Sequence, residues 1–174
     1  MTLLGISGSL RVDSLNSALV RHAGDVFGGD FTFADLNLPL YSGDVEVDGI
    51  PVAVQTLSDQ IAAADVIVVA TPEYNKNLSG VLKNALDWVS RTEDSPWKGK
   101  PVAIMSATAG RTGGERAQAS LRLCLQPFNA RVLDGPEVLV GTAHEAFEEG
   151  ALINERYAAS VAKLMDALKT EAAR

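Results

Sequence analysis

Cysteine is almost missing from this chain. Cys124 stands alone, which excludes an intrachain disulfide and a zinc site built from thiolates. His22 and His144 lie far apart and outside any metal-ligand spacing, so no metal centre is expected. Positive charge is in deficit: 15 Lys and Arg stand against 22 Asp and Glu, for a net charge of −7. That negative field disfavours nucleic acid and anionic lipid as partners, but not a small anionic ligand, because local charge decides binding. No apolar run approaches the ~20 residues that span a bilayer. No basic region followed by an apolar segment opens the chain, so a signal peptide is not expected and a cytoplasmic location is. The nucleoside-triphosphate loop GxxxxGK[ST] and the dinucleotide fingerprint GxGxxG are both missing, which weighs against an ATPase and a dinucleotide-binding Rossmann domain.

What is present is alternation. The 174 residues suit one domain, taken as residues 1–174. Apolar strand-like runs at 3–7, 31–34, 65–71, 101–106 and 131–140 alternate with helix-like patterns at 15–27, 51–64, 79–90, 113–125 and 151–169. The last strand is interrupted near Pro136, and Asp35–Gly49 reads as a long loop. "DVIVVAT", Asp65–Thr71, is apolar almost throughout, as a central strand buried on both faces would be. Five β-α units predict a three-layer α/β/α sandwich around a five-stranded parallel sheet with right-handed crossovers. For the order 2-1-3-4-5, ligands bind outside the carboxyl ends of the strands, between the first and third. Loops after Ser7, Thr71 and Ser106 should therefore converge on one cleft.

The first loop, "GSLRVDSLN", runs from Gly8 to Asn16. It opens a helix, whose N-terminus leaves backbone N–H groups unpaired and attracts anions. Ser9, Ser14 and Asn16 add short polar groups, and Arg11 adds a planar fork suited to phosphate. Asp13 is the misfit and is expected to face solvent or pair with a cation. The second loop begins with Pro72, Glu73, Tyr74 and Asn75, directly after the buried strand. It can present backbone groups to a flat heteroaromatic ring. Gly80 suits a close approach or a tight helix start, and Trp88 reads as packing. The third loop, "SATAGRTGGERA", has small residues that let backbone pass near a ligand, with Arg111 and Arg116 returning positive charge to the same edge.

Read together, these loops resemble the NAD(P)H-dependent FMN reductase family, which includes quinone and chromate reductases. The pattern GSLRxxSxN is matched by Gly8–Arg11, Ser14 and Asn16. TPEYNxxxxGxLKNALDW is matched by Thr71–Asn75, Gly80 and Leu82–Trp88, and the GGxRA element by Gly113, Gly114, Arg116 and Ala117. The resemblance implies a flavodoxin-like fold and FMN as cofactor, with NADPH or NADH as hydride donor. It implies that Ser9, Arg11, Ser14 and Asn16 hold the FMN phosphate, with Leu15 also among the cofactor-binding residues. Pro72, Glu73, Tyr74 and Asn75 would border the isoalloxazine, and Ser106, Thr108 and Gly110 of the third loop would approach it. The flavin carries the chemistry, so no catalytic side chain is implied. Quinones, free flavin, azo compounds and metal oxyanions are all open as acceptors. The family also implies a homodimer or homotetramer. A flavodoxin-type electron carrier without its own substrate, and a non-catalytic nucleotide-binding domain, stay as alternatives, because fold alone does not separate them.

Overall fold

The computed structural model describes residues 1–174. Its central sheet contains β1 (Thr2–Ser7), β2 (Asp30–Phe33), β3 (Val66–Ala70), β4 (Pro101–Ala107), β5 (Arg131–Val132) and β6 (Val138–Val140). All neighbours run parallel in the order β2-β1-β3-β4-β5, with β6 also on β4. The helices are α1 (Leu15–Phe27), α2 (Gly43–Val47), α3 (Val52–Ala63), α4 (Gly80–Val89), α5 (Glu115–Leu125) and α6 (Glu155–Ala172).

Strand periodicity divides the apolar side chains between two faces. Val66, Val68 and Ala70 of β3 join Leu19, Val20 and Ala23 of α1 and Val161, Leu164 and Met165 of α6. Ile67 and Val69 point the other way, to Leu57 and Ile61 of α3, Leu82 and Leu86 of α4, and Leu121 of α5. Every residue of β3 is buried, as its unbroken apolar run predicts. Removing a large side chain from either layer, as in Leu19→Ala, costs about 2–5 kcal/mol.

Three boundaries differ from the sequence reading. The last strand is two short pieces, because Pro136 between them has no N–H for the ladder. β5 pairs with Pro101–Val102, and β6 with Met105–Ala107. The long loop after β2 contains the short helix α2. The last helix begins at Glu155 rather than Ala151, capped by Asn154 through the Tyr157 N–H at 3.2 Å. Ala151 and Leu152 instead form β8, antiparallel to β7 (Phe147–Glu148). Helical spacing continued through Ala151, but the Asn-Glu start signal lay four residues on.

Candidate functional site

The loops after β1, β3 and β4 meet at the carboxyl edge of the sheet. They line a cleft of about 670 Å³ with Ser9, Arg11, Ser14, Leu15, Asn16, Pro72, Glu73, Tyr74, Thr108 and Gly110. Of the twelve residues expected to hold the cofactor, Asn75 and Ser106 do not line it, and neither does Arg111 or Arg116. A cleft of this size suits a small-molecule ligand.

The first loop is rich in unused donors. Between Ser9 and Asn16, only the Arg11 N–H has a protein acceptor, the Ser9 hydroxyl at 3.4 Å. The other backbone N–H groups from Ser9 to Asn16 are open, while those of Ser17 and Ala18 donate to the Ser14 side chain and carbonyl. Ser14 is the N-cap, its oxygen accepting from the Ser17 N–H at 3.2 Å. That bond uses a lone pair and leaves the hydroxyl proton available. Arg11 is exposed and has no carboxylate within 4.0 Å, and exposed Asp13 has no cation in that range. Asn16 is 4% exposed, and its amide is engaged. Nδ2 donates to the Ala107 carbonyl at 2.9 Å, and Oδ1 accepts from the Ala107 N–H at 2.9 Å. It thereby fastens the start of α1 to the end of β4. Gly8 serves packing: a Cβ there would lie 2.9 Å from Ser79 Oγ, so glycine lets the first loop lie against the start of α4.

The second loop is tighter than an ordinary proline turn. Tyr74 and Asn77 exchange two backbone hydrogen bonds, at 3.0 and 3.1 Å. Asn75 and Lys76 between them have φ of 52° and 65°. Consecutive left-handed residues are what a two-residue hairpin turn demands, and asparagine tolerates them. Buried Pro72 anchors the loop while Tyr74 stays half exposed. Glu73 crosses to the third loop, where its Oε2 accepts from the Arg116 and Ala117 N–H groups at 3.1 and 3.2 Å. A carboxylate thus caps α5, whose own N-cap residue, Gly114, has no side chain to do so.

The rest of the second motif supports its neighbours. Ser79 caps α4 through the Leu82 N–H, and an added Cβ at Gly80 would meet nothing within 4 Å. Gly80 therefore marks the helix start rather than a close approach. Trp88 is fully buried, and its Nε1 donates to the Pro39 carbonyl at 2.7 Å. Asn84 holds the same segment through the Pro39 carbonyl and the Tyr41 N–H. The Tyr41 hydroxyl donates to Glu46 Oε2 at 2.8 Å, and that bond holds the phenol above its usual pKa.

Ser106 lies below the third loop. Its hydroxyl donates to the Gly113 carbonyl and accepts from Gln118 Nε2 at 2.8 Å. Gly113 has φ of 65°, and a Cβ there would lie 2.5 Å from the Leu139 carbonyl carbon, so only glycine fits. Ala109, Arg111 and Thr112 keep backbone N–H groups without protein acceptors.

A fourth wall is missing from the sequence reading. Ala143, His144, Phe147, Glu149 and Gly150 also line the cleft. Glu149 and Gly150, at φ of 48° and 82°, form the tip of the β7-β8 hairpin. The Glu-Gly pair between short apolar pieces was the available signal.

A sequence model described as NADPH-dependent FMN reductase matches residues 1–145. An NAD(P)H-dependent FMN reductase of Pseudomonas aeruginosa is 43% identical over 171 residues, spanning 96% of this chain and 92% of that protein. A quinone reductase of Escherichia coli strain K12 is 38% identical over 146 residues, spanning 81% and 78%. Among solved structures, the flavoenzyme NAD(P)H:(acceptor) oxidoreductase FerB from Paracoccus denitrificans superposes with a TM-score of 0.88 at 32% identity, covering 99% of this chain and 97% of that one. A flavodoxin from the domain Archaea, at 12% identity and a TM-score of 0.67, shares the fold alone.

Proposed function

The chain belongs to the NADPH-dependent FMN reductase family, and from that premise we propose that the cleft holds FMN with its phosphate on the Ser9–Asn16 loop and its ring toward Pro72–Asn75 and Thr108–Gly110. FMN, when bound, supplies the redox chemistry that passes a hydride from NAD(P)H to a small-molecule acceptor. The electron-carrier and regulatory readings give way, because the relatives are named as reductases.

One observation carries the placement: the run of unpaired N–H groups at the start of α1, beside an arginine with no carboxylate partner. That donor set fits a phosphate monoester, which is all acceptor and carries up to two negative charges. Arg11 supplies the charge, and the Ser14 hydroxyl donates while its oxygen caps the helix. Asn16 holds the floor, keeping the first loop in register with Ala107. The open N–H groups of Ala109 and Thr112, both on the cleft wall, can donate to a carbonyl or anionic edge of the ring. Glu73, held on α5, keeps the second and third loops together.

Flavin fluorescence quenching with apoprotein tests the placement. FMN should bind far more tightly than riboflavin, which lacks the phosphate, and Arg11→Ala should remove much of that preference. Equal affinities for FMN and riboflavin in the unaltered protein would refute it.

The acceptor in this proposal is a quinone, supported by relatives named quinone reductase. Steady-state rates with quinones, free flavin, azo dyes and chromate test it, and slower turnover with every quinone than with free flavin counts against it. The same reading takes residues 1–174 as one cytoplasmic domain that forms a homodimer or homotetramer. Leu40, Val47 and Val52, 81%, 86% and 83% exposed, support association of copies. None of the helices is long and apolar enough to cross a membrane. Light scattering that returns a monomer would remove the oligomer from the proposal.

A further inference from the structure

A second groove, about 1130 Å³, lies over the exposed side of α1 and is larger than the flavin cleft. Both cavities are bounded by Ser9, Arg11, Ser14 and the hairpin tip Glu149–Gly150. They therefore meet at the phosphate loop. A ligand anchored there has one cavity on the ring side and another leading away from it.

The groove has polar chemistry of both signs. The exposed Arg21 guanidinium lies 4.3 Å from the centre of the Phe33 ring and has no carboxylate within 4.0 Å. The ring holds it as a flat cationic platform. Ser17 and Ala18 beside it are small. Asp35 follows β2, and its Oδ1 accepts from the Asn37 N–H at 2.8 Å while Oδ2 has no partner. An acid just past the second strand, beside a phosphate loop at the end of the first, stands where parallel α/β sheets take up ribose hydroxyls. His22 Nε2 is buried in the wall without a partner. Asp13, Asp25 and Glu149 add further carboxylates. This mixture disfavours a polyanion. It suits a ligand with one phosphate, a flat base and several hydroxyl or amine donors.

We propose that the groove over α1 binds the adenylate half of a dinucleotide, with phosphate toward Arg11, base on the Arg21–Phe33 pair and ribose at Asp35. The proposal rests on the phosphate-loop reading given above. Two ligands carry this group with a free ribose 2′-hydroxyl: FAD, taken in place of FMN, and NADH as donor, whereas the 2′-phosphate of NADPH would meet the Asp35 carboxylate.

The test uses three proteins: unaltered, Arg21→Ala and Asp35→Asn. Flavin quenching gives Kd for FMN and FAD with apoprotein, and steady-state kinetics with FMN-loaded protein give KM and kcat for NADPH and NADH. Losing one stacked or hydrogen-bonded contact should weaken an adenylate ligand about tenfold. If FAD is the source, both variants raise its Kd by that factor and leave the FMN Kd unchanged. If the nicotinamide donor is the source, both raise the KM for NADH with kcat and the FMN Kd unchanged, while Asp35→Asn does not raise the KM for NADPH. Either result supports the groove. FMN binding intact, with neither FAD nor the donor affected, overturns it. Failure of the unaltered protein to prefer FMN over riboflavin overturns the phosphate-loop reading, and this proposal with it.

Discussion

The two edges of one sheet are built to opposite ends. At the amino edge, three charged side chains are matched within the chain. Asp65 Oδ2 accepts from the Thr2 N–H at 2.7 Å, Lys100 Nζ donates to the Ala62 and Ala64 carbonyls at 2.6 Å, and Arg131 donates to Gly99 and Glu171. A hollow of about 510 Å³ lies there too, but Asp65, Lys100 and Arg131 in its wall already have partners, and Lys98 is its one charged side chain without one. At the carboxyl edge, the first and third loops keep open N–H groups, and Arg11 has no carboxylate. Volume alone thus does not mark a ligand site in this fold. Unspent hydrogen-bonding capacity beside volume does.

Asn16→Ala should break the comparison most strongly. It strips both partners from the buried Ala107 peptide, and each unpaired group costs about 1–3 kcal/mol. The expected loss is about 2–5 kcal/mol, lowering Tm by roughly 5–15 °C, together with loss of FMN binding. A calorimetric loss below about 1 kcal/mol would show that this bond does not fasten the edge. Arg11→Ala comes next and should separate binding from stability. Its charge-assisted bond contributes about 1.5–3 kcal/mol to phosphate, so the FMN Kd should rise about 10- to 100-fold. The Tm of the flavin-free protein should stay put, and a fall would place Arg11 among the structural residues.

Glu73→Ala removes the cap from α5 and should cost about 1 kcal/mol, read as a Tm lower by roughly 2–4 °C. Full stability would mean that another group caps the helix. The smallest effect belongs to the closed edge. Its hydrogen bond from the Thr2 N–H holds the Asp65 carboxyl below its ordinary pKa. A depressed folded value means that Asp65 stabilises the fold above the unfolded pKa of about 3.9, with the gain lost as pH falls through the folded value. Asp65→Asn should therefore be less stable at pH 7, by under about 1 kcal/mol for this exposed group. The gap should close toward pH 2, with the FMN Kd unchanged throughout. A gap that widens on acidification would reverse the assignment.

Much of the open edge was legible because its signals are local. The start of α1 at Leu15, after Ser14, follows from capping chemistry, and β3 follows from an unbroken apolar run. Sequence could not divide labour inside a motif. Ser9 and Arg11 present groups to the cleft, whereas the Asn16 amide is turned to a peptide 91 residues away. That partner is set by the β1-β3-β4 packing and has no trace in local spacing. Gly8 and Trp88 likewise belong to signature patterns for what they touch: Ser79 in one case and Pro39 in the other. The β7-β8 hairpin was missed because two-residue strands are too short to show a period.

The carboxylate of Glu73 also fixes a direction. Both α1 and α5 bring N-termini to the carboxyl edge, and each alone would attract an anion. Glu73 plugs the α5 end with the chain's own negative charge, while the α1 end stays open. Under the proposed placement of FMN, its anionic head goes to the open α1 end and is turned away from the plugged α5 end. The protein sets polarity by occupying the wrong berth itself.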